Sequence, residues 1–242
     1  MKKKPIENQV ALVTGANRGI GKTIVETLLA QGARKVYATA RNPESVDASD
    51  ERVVPLALDL SSTESVAAAA AEAKDVEIVI NNGGVLRVSN PLQETAFDDL
   101  AFEIDVNVVG LIRVAQSFAP ILKSNGGGAL VQLNSVASLK AFSPFATYSA
   151  SKAASYSITQ SLEQVLKEQG TQVVSVHPGP IDTDMAGTAG FTDGEPPSVV
   201  ADSIVEALRE GRFHSFPDAM ARQVSEPYQP FIENVVEVDF SE

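Results

Sequence analysis

The sequence predicts an α/β protein: a doubly wound parallel sheet between two layers of helices, three layers in a single domain. Three observations predict it. Short apolar, β-prone runs alternate with helical patterns along the whole chain, the first run passes through a glycine-rich turn into a helix, and small or polar residues gather where the later runs end. Such alternation gives parallel strands joined by crossover helices, with ligands meeting the carboxyl ends of the strands. At 242 residues with no linker-like stretch, the chain is long enough for one such domain, residues 1–242.

Composition narrows the partners. A formal net charge of −12 opposes binding to phosphate backbones or anionic lipid, so neither a nucleic-acid nor a membrane partner is expected. The absence of cysteine removes disulfides and thiolate metal sites. His177 and His214 are isolated in the sequence, so no metal is expected. The basic start has no apolar segment behind it and does not read as a signal peptide, which makes a cytoplasmic location the expectation.

Residues 9–14 form the first apolar run, followed by Gly15-Ala-Asn-Arg-Gly-Ile-Gly21 and a helical pattern to about residue 31. Strand, glycine turn and helix make a phosphate-binding unit, because glycine lets the backbone approach a pyrophosphate and the helix start offers unpaired N–H groups. Gly15, Asn17, Arg18, Gly19, Ile20 and Gly21 are its candidate contacts. Gly21-Lys22-Thr23 also imitates the end of a nucleotide-triphosphatase P-loop, with Asp59 as its magnesium-holding acid. Ala16, however, stands where that motif needs its first glycine.

The second run, Lys35–Ala40, ends where an acid would take the 2′-hydroxyl of NAD; this chain has Ala40 and then Arg41. Arg41 and Arg18 are suited to forked hydrogen bonding of a 2′-phosphate, which points to NADP(H) unless both are simply solvated. Residues 53–58 form a third strand, with Asp59 and Leu60 placed to flank an adenine. The alanine-rich residues 61–74 form a helix behind Ser and Thr caps. Residues 77–81 are the fourth strand, ending in Asn81-Asn-Gly-Gly84, where Asn81 and Gly83 allow close approach to a ligand.

A helix is expected over residues 97–123, apolar nearly all round except at Asn107. Such a helix is covered on both sides, and a homodimer or homotetramer through the two long central helices is the expected cover. Residues 129–134 form the next strand, Ser135 ends it, and Tyr148 opens a helix to about residue 169 with Lys152 four residues on. That step puts a cation on the same face as a phenol, favouring its ionisation from about pH 10 toward neutrality, although an ordinary amphipathic helix carries the same spacing. Residues 172–176 form a strand closed by His177-Pro-Gly-Pro-Ile-Asp-Thr183, with Asp182 and Asp184 read as turn caps. Residues 185–197 are expected to form a lid, 198–210 a helix, 213–216 an edge strand and 221–242 an acidic tail.

In their order and spacing these motifs resemble the short-chain dehydrogenase/reductase superfamily, single-domain branch, over nearly the full length. The matching residues are Thr14-Gly-Ala-Asn-Arg-Gly-Ile-Gly21, Asn81-Asn-Gly-Gly84, Asn107, Ser135, Tyr148-x-x-x-Lys152, Pro178-Gly179 and Thr183. The resemblance implies a Rossmann-type fold and NADPH-dependent reduction of a ketone or aldehyde to an alcohol. Tyr148 would be the general acid/base, Lys152 would lower its pKa and hold the nicotinamide ribose, Ser135 would bond the substrate oxygen, and Asn107 would position a water. Pro178 and Gly179 would lie against the cofactor, with Ile181 and Thr183 holding its carboxamide. Gly84 departs from the alanine usual there. Phe142, Phe145 and Met185 offer an apolar wall for a hydrophobic carbonyl compound, or plain packing. An NADP(H)-binding regulator without turnover is the alternative from another class.

Overall fold

The structure is a computed structural model and describes residues 6–238; the basic start and the last four residues of the tail lie outside them. In chain order the elements are β1 (Val10–Thr14), α1 (Gly19–Ala30), β2 (Lys35–Ala40), β3 (Val53–Ala57), α2 (Thr63–Glu72), β4 (Ile78–Asn81), α3 (Ala96–Ile104) and α4 (Gly110–Ser124). They continue with β5 (Ala129–Leu133), α5 (Ala146–Lys167), β6 (Gln172–Val176), α6 (Asp184–Thr188), α7 (Ser198–Glu210), β7 (His214–Ser215) and α8 (Ala219–Phe231). The strands form one parallel sheet in the order β3-β2-β1-β4-β5-β6-β7. Winding runs outward from β1 in one direction and, from β4 onward, in the other. A crevice therefore opens between β1 and β4 at their carboxyl ends.

Period-two alternation sends each strand's side chains to two cores. Ala11, Val13, Val36, Ala38, Ile78, Ile80, Val131 and Val174 face α1 and α7, where Ile24, Leu28, Ile204 and Leu208 meet them. Val10, Leu12, Tyr37, Val79, Leu130 and Val173 face α2, α4 and α5, against Val66, Phe118, Leu122 and Leu166. Phe118 has no exposed surface; truncating such a side chain to alanine costs about 3–5 kcal/mol.

On that second face the carboxyl halves of the strands turn polar while staying buried. Leu12 gives way to Thr14, Val79 to Asn81, Leu130 to Gln132 and then Asn134, Val173 to Ser175 and then His177. These groups satisfy one another laterally. Thr14 Oγ1 donates to Asn81 Oδ1 (2.9 Å), Asn81 Nδ2 to Gln132 Oε1 (2.7 Å), and Asn134 Nδ2 to Ser175 Oγ (2.9 Å). Among the described residues Asn134 Oδ1 is left without a hydrogen-bond partner, but the bonds that are made tie β1, β4, β5 and β6 together beneath the crevice.

The structure adds detail to three expectations. The long helix expected over residues 97–123 is present and runs from Ala96 to Ser124; α3 and α4 are its two halves, joined without loss of helical backbone by a wider π-helical turn at Asp105–Val109 that contains Asn107. Its flanks are met partly by the chain itself: α2 and α5 both pack against α4, and Arg113 donates to Leu60 O (2.8 Å). The span 185–197 is not wholly irregular, since it contains most of α6, and Ile181 pairs with Glu195 as an isolated bridge. The tail forms α8 despite Pro227 and Pro230, followed by a π-helical turn over Ile232–Val236. Prolines read as breakers, but here Asp218 caps the helix by accepting from Ala221 N (2.9 Å), and Ala221 and Ile232 are buried. The tail docks on its own chain, with Glu237 Oε1 2.8 Å from His214 Nδ1.

Candidate active site

A cleft of about 1020 Å³ runs along the carboxyl ends of the strands. Every residue expected to touch a dinucleotide lines it except Asn81, and Ser135, Phe142, Phe145 and Met185 line it as well. Asn81 is a correction, whereas Asn107 is buried in the helix wall as expected. Both are buried behind the cleft wall, Asn81 in the lateral network and Asn107 in the π-helical turn. Asn82, which was not singled out, takes the exposed position, and its Nδ2 donates to Thr14 O (2.9 Å) and Gly15 O (3.2 Å). Alternation explains the exchange: Asn81 is the last residue of β4 and faces the second core, so its successor faces the ligand side.

At one end the β1–α1 turn is shaped for a large anionic group. Gly15 has φ +63°, and a Cβ on Gly21 would stand 2.1 Å from Gly15 O, so neither site admits a side chain. Arg18 precedes α1 without a side-chain cap, leaving the first N–H groups of the helix for a ligand. The residues present therefore fit a dinucleotide pyrophosphate. At the β2 corner the two arginines differ. Arg18 Nη1 is paired with Asp184 Oδ2 (2.9 Å), so Asp184 is an ion-pair partner rather than the turn cap expected of it; Thr183 caps α6 instead. Among the described residues Arg41 has no ion-pair partner, and its charge helps hold Asp59 below the usual carboxylate range, behind the larger effect of hydrogen bonds from Ser61. Lys22, the P-loop imitation, faces away and pairs with Asp47 (3.3 Å).

At the other end Ser135, Tyr148 and Lys152 share one wall. Ser135 starts a 3-10 turn over Val136–Ser138; its hydroxyl accepts from Ala137 N (3.1 Å) and donates to Pro178 O (3.3 Å). Lys152 Nζ donates to Leu133 O (2.8 Å) and lies 5.8 Å from the Tyr148 ring centre. Burial pushes Tyr148 up to about 12, against a smaller downward pull from the Ser135 hydroxyl, and lowers Lys152 to about 8. The expected drop in the phenol's pKa is thus absent. The ammonium faces a carbonyl, not the phenol, and desolvation dominates both groups.

Asn107 is committed on all sides. Its Nδ2 donates to Val85 O and Ser151 Oγ (2.9 Å each), and its Oδ1 accepts from Val85 N (2.9 Å). Ser151 Oγ in turn donates to Tyr148 O (2.8 Å). A Cβ on Gly84 would come within 3.2 Å of Asn107 Oδ1, a tight approach at the position where alanine was expected. Sequence reading also missed Glu103, which is fully buried, accepts from Arg87 N (2.7 Å) and raises both Tyr148 and Lys152 electrostatically. No local pattern sets it apart, since Asp98, Asp99 and Asp105 stand in the same helical stretch.

The apolar wall is larger than expected. Phe191 joins Phe145 with ring centres 5.7 Å apart, and Phe102 and Met220 also line the cleft. Asp218 fixes the position of α8 here by accepting from Gly179 N (2.7 Å) as well as capping the helix. Among the described residues no group of three or more His, Cys, Asp or Glu is placed to hold a metal ion.

Fold and cleft together define a dinucleotide-type α/β enzyme. The sequence profile for short chain dehydrogenase matches residues 9–192. An uncharacterized oxidoreductase of Staphylococcus aureus (strain USA300) is 30% identical over 230 residues, covering 90% of this chain and 99% of that protein. Among solved structures, a short chain dehydrogenase from Burkholderia cenocepacia J2315 in complex with NADP superposes with a TM-score of 0.88 at 35% identity, covering 99% of this chain and 100% of that one. A short-chain dehydrogenase from Streptomyces avermitilis does so with a TM-score of 0.83 at 25% identity, over 94% of each chain. The chain belongs to the short-chain dehydrogenase/reductase superfamily and is an oxidoreductase.

Proposed function

We propose that this protein reduces a ketone or aldehyde carbonyl to an alcohol with NADPH. The observation that carries the reading is the placement of Ser135, Tyr148 and Lys152 on one wall of a cleft whose other end is the glycine turn at the start of α1. Bound NADPH would supply a hydride to the carbonyl carbon. The glycine turn holds the pyrophosphate, while Pro178, Gly179, Ile181 and Thr183 line the nicotinamide end. Charge then grows on the carbonyl oxygen, where the Tyr148 hydroxyl donates and the Ser135 hydroxyl donates once it turns from Pro178 O. A phenol held at about 12 is fully protonated at neutral pH, and it yields its proton to an alkoxide, a stronger base. Lys152 then stabilises the tyrosinate and orients the ribose. Asn107 acts through Ser151, whose hydroxyl holds the Tyr148 carbonyl.

NADPH rather than NADH is favoured by Ala40 in place of an acid and by the unpaired Arg41 beside it, and the Burkholderia relative was solved with NADP. Phe142, Phe145 and Phe191 favour an apolar substituent on the substrate. The test is a panel of aryl and alkyl ketones and aldehydes run with each cofactor, in wild type and Arg41→Ala. Carbonyl-dependent NADPH oxidation is expected, and the variant should lose about 10-fold or more in kcat/KM for NADPH but little for NADH, as befits a lost charge-assisted bond. An equal effect on both cofactors removes the phosphate-clamp argument. Tight NADP(H) binding with no turnover on any carbonyl would favour a regulator instead.

A further inference from the structure

Resting on the reading that the Ser135 hydroxyl faces the reacting oxygen, we infer that His177 is a positioning residue for that serine. Its neutral imidazole grips the Ser135 carbonyl and so fixes where the hydroxyl points. His177 follows β6 and has no exposed surface. Its Nδ1 lies 3.2 Å from Ser135 O, and its Nε2 lies 2.7 Å from Ser175 Oγ.

The donors in this chain can be assigned by elimination. A carbonyl only accepts, so Nδ1 carries the hydrogen; a neutral imidazole has only one, so Nε2 accepts and the Ser175 hydroxyl donates to it. Ser175 Oγ then accepts from Asn134 Nδ2 (2.9 Å). Asn134 and Ser135 are consecutive, so the chain leaves the β5 end through one residue and returns through the next. Burial lowers His177 to about 3, which keeps the ring neutral across the working pH range, and the carbonyl partner of Nδ1 sets the tautomer. The neighbouring Pro178 O takes Val136 N (3.0 Å) and the Ser135 hydroxyl (3.3 Å). His177 and Pro178 therefore hold the serine by its carbonyl, its hydroxyl and the N–H that follows it.

The surroundings leave the ring no other orientation. The Tyr156 ring meets it edge-on at 4.7 Å and Phe216 stacks at 5.3 Å; His214, itself paired with Glu237, lies 5.9 Å away, and Lys152 adds a small opposing charge. Packing alone would be met by any side chain of this size. The directed hydrogen-bond chain requires a donor at the Nδ1 position.

The experiment is a double-mutant cycle in the full-length enzyme. Asparagine places its amide nitrogen near the Nδ1 position, whereas glutamine reaches only to that of Nε2 and leucine supplies no donor. His177→Asn, His177→Gln and His177→Leu are made in wild type and in Ser135→Ala, with kcat, KM for NADPH and thermal midpoint measured for each. His177→Gln and His177→Leu should lower kcat about 10-fold or more with KM for NADPH within about 2-fold, and His177→Asn should stay within about 3-fold of wild type, the scale of a lost or kept buried hydrogen bond. In Ser135→Ala the same substitutions should cost less than about 2-fold further. Equal losses in both backgrounds, or a folded His177→Asn as impaired as His177→Gln, overturn the inference while leaving Ser135 in its role. Wild-type kcat in Ser135→Ala itself would overturn that role and the inference together.

Discussion

At the level of single residues the site is governed by burial more than by pairing. The chain puts Tyr148 and Lys152 one helical step apart, and that spacing was legible because it is local. What the spacing hides is that Lys152 donates to Leu133 O and that both groups are desolvated, which raises the phenol and lowers the ammonium. A consequence belongs here. With Lys152 near 8, kcat/KM for NADPH, which reports the free enzyme, should fall above about pH 8 as the ammonium loses its charge. A profile flat to pH 10 would show that Lys152 stays protonated or is not needed. Asn107 was legible as a polar residue inside a covered helix, whereas the burial of Asn81 was not legible, because adjacent residues on a strand face opposite ways. Contacts such as Arg18 with Asp184, or Asp218 with Gly179, join residues 166 and 39 positions apart, and no local pattern announces them.

Among the elements, the β1–α1 unit was the most readable, since Gly15, Gly19 and Gly21 carry the shape of the turn themselves. Gly21→Ala tests it. A methyl group 2.1 Å from Gly15 O cannot be accommodated without moving the loop, so dinucleotide binding should fall by about 100-fold or more, and stability by about 1–3 kcal/mol, as for other overpacked sites. Wild-type affinity measured by fluorescence titration would mean that the turn is not the pyrophosphate seat. The other informative elements are those that departed from local preference. The π-helical turn between α3 and α4 carries no proline or glycine pair, and α8 forms across two prolines. In α8 the tertiary anchors Asp218, Ala221 and Ile232 outweigh propensity, which is only a weak prior.

For the whole molecule, alternation of apolar runs was enough to give a doubly wound parallel sheet, because parallel strands with right-handed crossovers leave few topologies, while the strand order came from the structure. The polar band beneath the crevice was less legible: Thr14, Gln132 and Ser175 pass as ordinary members of their strands, and only the sheet lines them up with Asn81 and His177. That band has a pH signature. His177 is held near 3 and His214 is also lowered, in both cases chiefly by burial, so the unfolded chain takes up protons near pH 6.5 that the folded one refuses. Their contribution to stability is complete above pH 6.5 and is lost progressively as pH falls below it. Glu103, raised by burial, acts in the opposite sense with a single group. The urea midpoint should therefore be lower at pH 5 than at pH 7; an equal or higher midpoint at pH 5 would mean that the two histidines are not held neutral.

The central claim is that a protonated Tyr148, beside Ser135 and Lys152, delivers the proton that completes carbonyl reduction. The most direct measurement is carbonyl-dependent NADPH oxidation by Tyr148→Phe at saturating NADPH, with nucleotide affinity determined on the same preparation. Loss of turnover by about 1000-fold, on the scale of general acid catalysis, with affinity within a few-fold of wild type is the predicted result, whereas turnover near the wild-type rate would contradict the assignment.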